Sequence, residues 1–284
     1  MNARTDPAIL AFPQVEYATI PSGIRVPYVA CGAGEPLFFV HGSLCDYRYW
    51  NSQTSILSKH YRCVSPSLSH YWPAAAAGLE GGFSWRAHVD ELAAFIVAMD
   101  LGPVHLVGHS RGGCIAFHLA RDYPELVKTL VLADPGGPLQ IDGHPEAALP
   151  AATTAVRSEV ADLIEGGAID AGLELFVDSV SMPGIWRKSP TSFRTMAVDN
   201  ATTLPKQFRD PLPAYTRAAA SDVRCRTLLV AGEKSPAMYR DNVDQLVEWM
   251  AHAGKEVIAG ASHGMSVTHP SAFNRLVQGF ISGR

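Results

Sequence analysis

Long apolar runs, paired cysteines and strong net charge are all missing from this 284-residue chain. No window approaches 18 uninterrupted apolar residues, so no membrane-spanning helix is expected. The cysteines Cys31, Cys45, Cys63, Cys114 and Cys225 are odd in number and have no C-x-x-C spacing, which points to neither a disulfide framework nor a structural zinc site. The net charge of -4 gives no electrostatic reason to expect nucleic acid or an anionic membrane as partner. Residues Met1 to Ala11 lack the apolar core of a signal peptide, so a reducing, cytoplasmic setting is expected. No metal, nucleotide or flavin motif is visible, and neither a metal nor a cofactor is expected. A small-molecule substrate is the expected partner, with the chain a monomer or a homodimer.

What is present is enough apolar material, 47% of the residues, to bury a large core as one α/β domain with an insertion or as two domains. Apolar and β-branched runs at Val15–Ile20, Arg25–Ala30, Pro36–Val40, Tyr61–Ser65, Val104–Val107, Thr129–Ala133, Arg226–Ala231 and Lys255–Ile258 predict eight strands. The first two are close enough for an antiparallel hairpin around Pro21-Ser22-Gly23, while helix-length segments separate the later ones, as parallel crossovers require. Helical patterns fall near Tyr47–Lys59, Trp85–Met99, Arg111–Asp122, Arg240–Ala253 and Ser271–Ile281. Residues 137–222 break the alternation and read as an inserted helical cap, leaving 1–136 and 223–284 as the core. Phe176, Val177, Met182, Trp186, Phe193, Met196, Phe208 and Tyr215 would give that cap an apolar underside, or simply its own core.

Gly108-His109-Ser110-Arg111-Gly112 is a G-x-S-x-G between an apolar strand and a helical pattern. A serine hydroxyl is a weak nucleophile at neutral pH, so it must stand clear of the backbone, where a histidine can take its proton and amides can meet a developing oxyanion. A tight strand-to-helix turn does this, and its glycines allow the backbone to cross closely. His263 lies in the small-residue loop Ala261-Ser262-His263-Gly264-Met265, after the last strand and before the last helix, where a base could reach the serine. Asp134 ends the sixth strand on the same carboxyl edge as Ser110. In Phe38-Phe39-Val40-His41-Gly42-Ser43 the third strand runs into a glycine turn beside the elbow, where His41 is expected to hydrogen-bond the loop rather than act as a base.

The elbow, the His-Gly loop and the late histidine together resemble the α/β-hydrolase fold superfamily of serine hydrolases, esterases and lactonases among them, in element order from about Val15 to Phe280. The resemblance implies a mostly parallel eight-stranded sheet flanked by helices, with a cap after strand 6, and catalytic roles for Ser110 and His263. It also implies an oxyanion hole formed by the amides of Ser43 and Arg111. Relatives usually carry their acid in G-E-x-D after the seventh strand, but here the text is Gly232-Glu233-Lys234-Ser235, with a serine in the acid's place. In some branches the acid ends the sixth strand, which Asp134 matches; Glu233 and a Ser–His dyad remain the alternatives. Ser67-Leu68-Ser69-His70-Tyr71-Trp72-Pro73 replaces a glycine-rich turn of relatives, so Tyr71 and Trp72 either line the substrate site or pack the loop. Trp186 and Met265 are the other candidates for substrate contact. The Arg111 side chain either binds an anionic group or is solvated or salt-bridged.

These groups suit acyl transfer to water on a carboxylic ester or lactone with a hydrophobic part. Ser110, where an aspartate would be needed for an aspartyl ester, argues against haloalkane dehalogenase and epoxide hydrolase chemistry. Carbon–carbon bond hydrolysis of diketones, amide or thioester cleavage, and a hydrolase-like ligand receptor with little turnover are the alternatives.

Overall fold

The computed structural model describes residues 14–73, 82–145 and 147–283, so the expectation for Met1 to Ala11 concerns residues outside those described. Eight strands form one sheet: β1 (Glu16–Thr19), β2 (Arg25–Cys31), β3 (Pro36–Val40), β4 (Arg62–Pro66), β5 (Val104–His109), β6 (Val127–Ala133), β7 (Arg226–Gly232) and β8 (Ala253–Ile258). Their spatial order is β1-β2-β4-β3-β5-β6-β7-β8. β1 and β2 pair antiparallel, Thr19 opposite Arg25, and β2 runs antiparallel to β4; every later pairing is parallel.

The strands form where they do because a parallel interior strand is covered on both faces and can be apolar throughout. β5 is buried along its whole length. Side chains alternate between two cores: Phe38, Leu106, Leu130 and Leu229 lie in one, Leu37, Val107, Val131 and Leu228 in the other. The first core is covered by α2 (Trp85–Ala98), α3 (Arg111–Asp122) and α10 (Ala237–Trp249), the second by α1 (Asn51–Leu57), the short α11 (Met265–Thr268) and α12 (Pro270–Ile281). Edge strand β8 exposes Lys255 and Glu256, charges that discourage pairing with another chain.

Two helical expectations shift. The pattern at Tyr47–Lys59 is a 3₁₀ turn, Tyr47–Trp50, before α1, because the Asp46 carboxylate accepts from Arg48 N at 3.0 Å and caps a separate first turn. α10 begins at Ala237 and ends at Trp249, since the chain must turn at Met250 to enter β8.

Between β6 and β7 lie α4 (Ala151–Glu165), α5 (Ile169–Val180), α6 (Ile185–Lys188), α7 (Thr191–Asp199), α8 (Thr203–Arg209) and α9 (Arg217–Ser221). Val160, Leu173, Trp186 and Leu204 bury together with Leu44 of the loop after β3, a third core that joins the inserted helices to the sheet's carboxyl edge. Polar ties reinforce it: Asn200 Nδ2 donates to Asp46 at 2.8 Å, Ser43 Oγ donates to Gln207 at 2.6 Å, and Arg48 reaches Asp199 at 2.8 Å.

Candidate active site

The parallel register sets Val40 beside Gly108, His109 beside Ala133, and Gly232 beside Ile258. The residues that follow those strands therefore emerge along one edge, as ligand sites of open α/β sheets do. Ser110 has φ +55° and ψ -124°, a conformation costly for any residue with a Cβ. It persists because the backbone is fixed on both sides: Ser110 N donates to Ala133 O at 3.1 Å, and Ser110 O accepts from Gly113 and Gly136, each at 2.9 Å. A Cβ on Gly112 would lie 2.2 Å from His41 O and 2.5 Å from Val40 O, so the glycine is what allows the loop after β3 to press against the elbow. Gly42 is close as well, though less tightly packed, its Cβ position being 3.0 Å from the Ser110 Cβ.

His263 Nε2 lies 3.0 Å from Ser110 Oγ, and its Nδ1 lies 3.1 Å from Asp134 Oδ2. A carboxylate accepts only, so Nδ1 carries the proton and Nε2 is free to accept from the serine. Asp134 is fully buried and also takes a left-handed conformation, φ +40°, held by its N–H donating to Val230 O at 2.9 Å. It is satisfied there by Ser235 Oγ at 2.5 Å and Gly232 N at 3.3 Å. Glu233 is exposed and accepts from Gly260 N at 2.7 Å, turned away from the histidine.

The His263 ring sits between two others. Tyr239 stacks on it with centroids 3.9 Å apart, and His109 lies 4.6 Å away on a tilted plane. His109 Nε2 is 2.7 Å from His263 O, to which it donates, while burial holds its pKa well below that of an ordinary histidine. Burial likewise pushes the Tyr239 hydroxyl upward, so both flanking rings stay uncharged. His41 bridges its loop, Nδ1 donating to Gly42 O at 2.9 Å and Nε2 accepting from Leu68 N at 3.0 Å, with its pKa lowered by burial to about 4. Among the described residues the amides of Ser43 and Arg111 have no hydrogen-bond partner. The Arg111 side chain is buried and salt-bridged, Nη2 to Asp210 Oδ2 at 3.0 Å, with its guanidinium over the Phe83 ring.

Two cavities meet at Ser110 and Ser43. A chamber of about 270 Å³ is lined by His263 with Leu44, Met182, Phe193 and Val267; a larger one of about 790 Å³ by Arg111, Arg157 and Tyr239, and both by Phe176 and Val180. None of the four sequence candidates for substrate contact lines either. Tyr71 is buried against His41, Phe83 and His88, and Trp72 stacks under Arg48. Trp186 is buried in the third core with its indole N–H on Asp170, and Met265 lies in the core with Trp50 and Phe273. A large aromatic near a site is as readily a packing element, and sequence offers no sign of which. Phe176, Val177, Met182 and Phe193 of the expected apolar underside do reach the smaller chamber.

Residues 37–276 match the Alpha/beta hydrolase family, and the chain belongs to that family. It is 23% identical over 268 residues to an (E)-2-((N-methylformamido)methylene)succinate hydrolase of Acinetobacter baylyi, covering 89% of this chain and 93% of the relative. It is 25% identical over 280 residues to a 2-hydroxymuconate semialdehyde hydrolase of a Pseudomonas species, covering 95% of each. An esterase of Exiguobacterium antarcticum shares the fold, with a TM-score of 0.79 at 19% identity over 94% of this chain and 98% of that one. Among the described residues no helix is long and apolar enough to cross a membrane.

Proposed function

We propose that this hydrolase cleaves a carboxylic ester or lactone through an acyl-enzyme on Ser110. The observation that carries the reading is the unbroken line from Ser110 Oγ to His263 Nε2, 3.0 Å, and from His263 Nδ1 to Asp134 Oδ2, 3.1 Å. Ser110 Oγ attacks the carbonyl carbon as His263 Nε2 takes its proton, and Asp134 stabilises the imidazolium without itself becoming protonated. The Ser43 and Arg111 amides meet the oxyanion, a contribution of about 10²–10³ in rate per donor. His263 then protonates the departing alcohol, and water repeats the sequence on the acyl group. Residues 137–222 act as a cap whose apolar side chains exclude water and hold the hydrophobic part of the substrate, in a small-molecule hydrolase that needs no cofactor.

Carbon–carbon bond hydrolysis is the second reading, favoured by the match along 95% of the chain to a 2-hydroxymuconate semialdehyde hydrolase. A panel of p-nitrophenyl esters, simple lactones and a vinylogous diketone, with a fluorophosphonate probe, tests both. Serine labelling with repeated ester turnover, lost in Ser110→Ala, is the expected result. Turnover of the diketone alone moves the function to the second reading, labelling without turnover favours a receptor, and an unlabelled Ser110 removes the mechanism.

A further inference from the structure

The larger chamber is lopsided in charge. Three arginines line it, Arg111, Arg157 and Arg209, and no described aspartate or glutamate does. Two of the three are committed elsewhere: Arg111 to Asp210 at 3.0 Å and Arg209 to Glu165 at 2.5 Å. Arg157, on α4, has no carboxylate within ion-pair distance among the described residues. Its guanidinium is steered instead by the Phe208 ring, 5.5 Å from centroid, and Ser158 and Thr154 add hydroxyls to the same wall. Burial presses its pKa below an arginine's ordinary value, and the nearby Arg111 charge adds to this against the opposing Tyr239 hydroxyl. A half-buried guanidinium with a fixed orientation and no counter-charge is stabilised by a bidentate carboxylate more than by water.

Which half of the substrate would carry that carboxylate follows from which groups line which chamber. His263, which must protonate the leaving oxygen, lines only the smaller chamber, whose wall is mainly apolar and whose one lysine, Lys188, is exposed. Arg111, whose amide would meet the oxyanion, lines only the larger one together with Arg157. The alcohol half therefore departs into the apolar chamber, and the acyl half extends toward Arg157.

The geometry points to Arg157 as a specificity-determining residue that binds a carboxylate at the far end of the acyl group, so that the substrates are half-esters of dicarboxylic acids, or the corresponding lactones, with an apolar alcohol part. This rests on the acyl-transfer reading of Ser110. The step itself is ordinary ester hydrolysis: Ser110 Oγ bonds to the carbonyl carbon as the ester carbon–oxygen bond breaks, the alcohol leaves with the serine proton relayed by His263, and water then cleaves the acyl-enzyme, giving that alcohol and a dicarboxylate, or one hydroxydicarboxylate from a lactone.

The test compares three kinds of ester on the full chain: monobenzyl esters of diacids from succinate to suberate, neutral benzyl hexanoate, and 4-carboxybenzyl hexanoate with its charge on the alcohol half. The expected result is a kcat/KM for the best monobenzyl ester at least ~10-fold above that for benzyl hexanoate. Arg157→Met should then lower the monobenzyl value ~10-fold or more beyond its effect on benzyl hexanoate, with Arg157→Lys between the two. Equal losses on charged and neutral esters make Arg157 structural, unchanged ratios remove it from the site, and preference for 4-carboxybenzyl hexanoate puts the charge on the wrong half; each overturns the proposal. Calorimetric binding of the same monobenzyl esters to Ser110→Ala, with and without Arg157→Met, gives a readout independent of turnover. Binding ~10-fold weaker without Arg157 upholds the anion site even where the wild type hydrolyses none of them, in which case only the acyl-transfer reading fails. Equal binding in both, or none to either, overturns the anion site.

Discussion

Ser235 Oγ donates a 2.5 Å hydrogen bond to Asp134 Oδ2, the same carboxylate oxygen that His263 Nδ1 approaches at 3.1 Å. The serine follows β7 and the aspartate follows β6, so two neighbouring strand ends bring hydroxyl and carboxylate into contact. A fully buried carboxylate needs every acceptor site met, and Ser235 meets one of them.

This contact predicts an ordering of variants. Asp134→Asn should lower kcat by about 10³–10⁴, since an amide favours the wrong histidine tautomer. Ser235→Ala should cost about 10- to 100-fold, the worth of one charge-assisted hydrogen bond to a group that stays in place. Glu233→Gln should change kcat by less than ~2-fold, because that carboxylate is exposed and bonded to the Gly260 amide. Exchanging the pair, Asp134→Ser with Ser235→Asp, should recover at least ~10-fold over Asp134→Asn. Steady-state kinetics on one ester checks the whole series; a larger loss in Glu233→Gln than in Asp134→Asn would reassign the acid.

A second prediction concerns the elbow. An alanine Cβ at Gly112 would sit 2.2 Å from a backbone oxygen of His41, and neither strand end can retreat without breaking sheet pairing. Gly112→Ala should cost about 3 kcal/mol or more, with soluble yield and activity falling together. Gly254→Ala on the exposed edge strand, where a Cβ would meet nothing within 4 Å, should stay within about 1 kcal/mol. Thermal melts of the two variants decide it.

The strands were legible because interior parallel strands are apolar along their whole length, which a sequence shows directly. Ser110 was legible because its strained turn needs glycines at fixed places. Spacing favours Asp134, since Glu233 falls two residues early in its loop, yet both follow strands at the same edge. The direction of the side chain, toward His263 or toward Gly260, decides between them. The lining residues were less legible still. Trp186 carries the same apolar bulk as Phe176 and Phe193, and whether such a ring faces a cavity or a core depends on helix rotation within 137–222, which a mixed pattern leaves open, while Tyr71 sits in an irregular loop after β4 that has no periodicity to read. Arg157 gave no signal in sequence, because a charge on a helix reads as solvated until the chamber around it is seen.

The third prediction tests the stack. Tyr239 covers one face of His263, and its ring is buried. Tyr239→Leu should reduce kcat by about 3- to 10-fold, consistent with the 0.5–1.5 kcal/mol of a ring pair, whereas Tyr239→Phe, which keeps the ring, should stay within ~3-fold. Equal losses in the two would give the role to the hydroxyl instead.

The last prediction is a pH dependence of stability. His118 is buried with neither ring nitrogen hydrogen-bonded among the described residues, packed against Trp85 and Phe117. Burial lowers its pKa from 6.5 to about 4, and burial lowers that of His41 likewise to about 4. The unfolded chain takes up these protons near pH 6.5 while the folded chain refuses them until about pH 4, so the unfolded state binds more protons across that window. Stability from each is therefore complete above pH 6.5 and is lost as pH falls toward 4, by up to about 3 kcal/mol per histidine. His118→Leu removes one such proton site without breaking a hydrogen bond, so its urea midpoint should match or exceed the wild type at pH 7.5 and exceed it by more at pH 5. His41→Leu removes a proton site too, but it strands Leu68 N and leaves Gly42 O with only its 3.4 Å bond from Cys45 N. It should be destabilised at both pH values, and an acid sensitivity in His118→Leu equal to the wild type would show that this histidine is protonated in the folded protein.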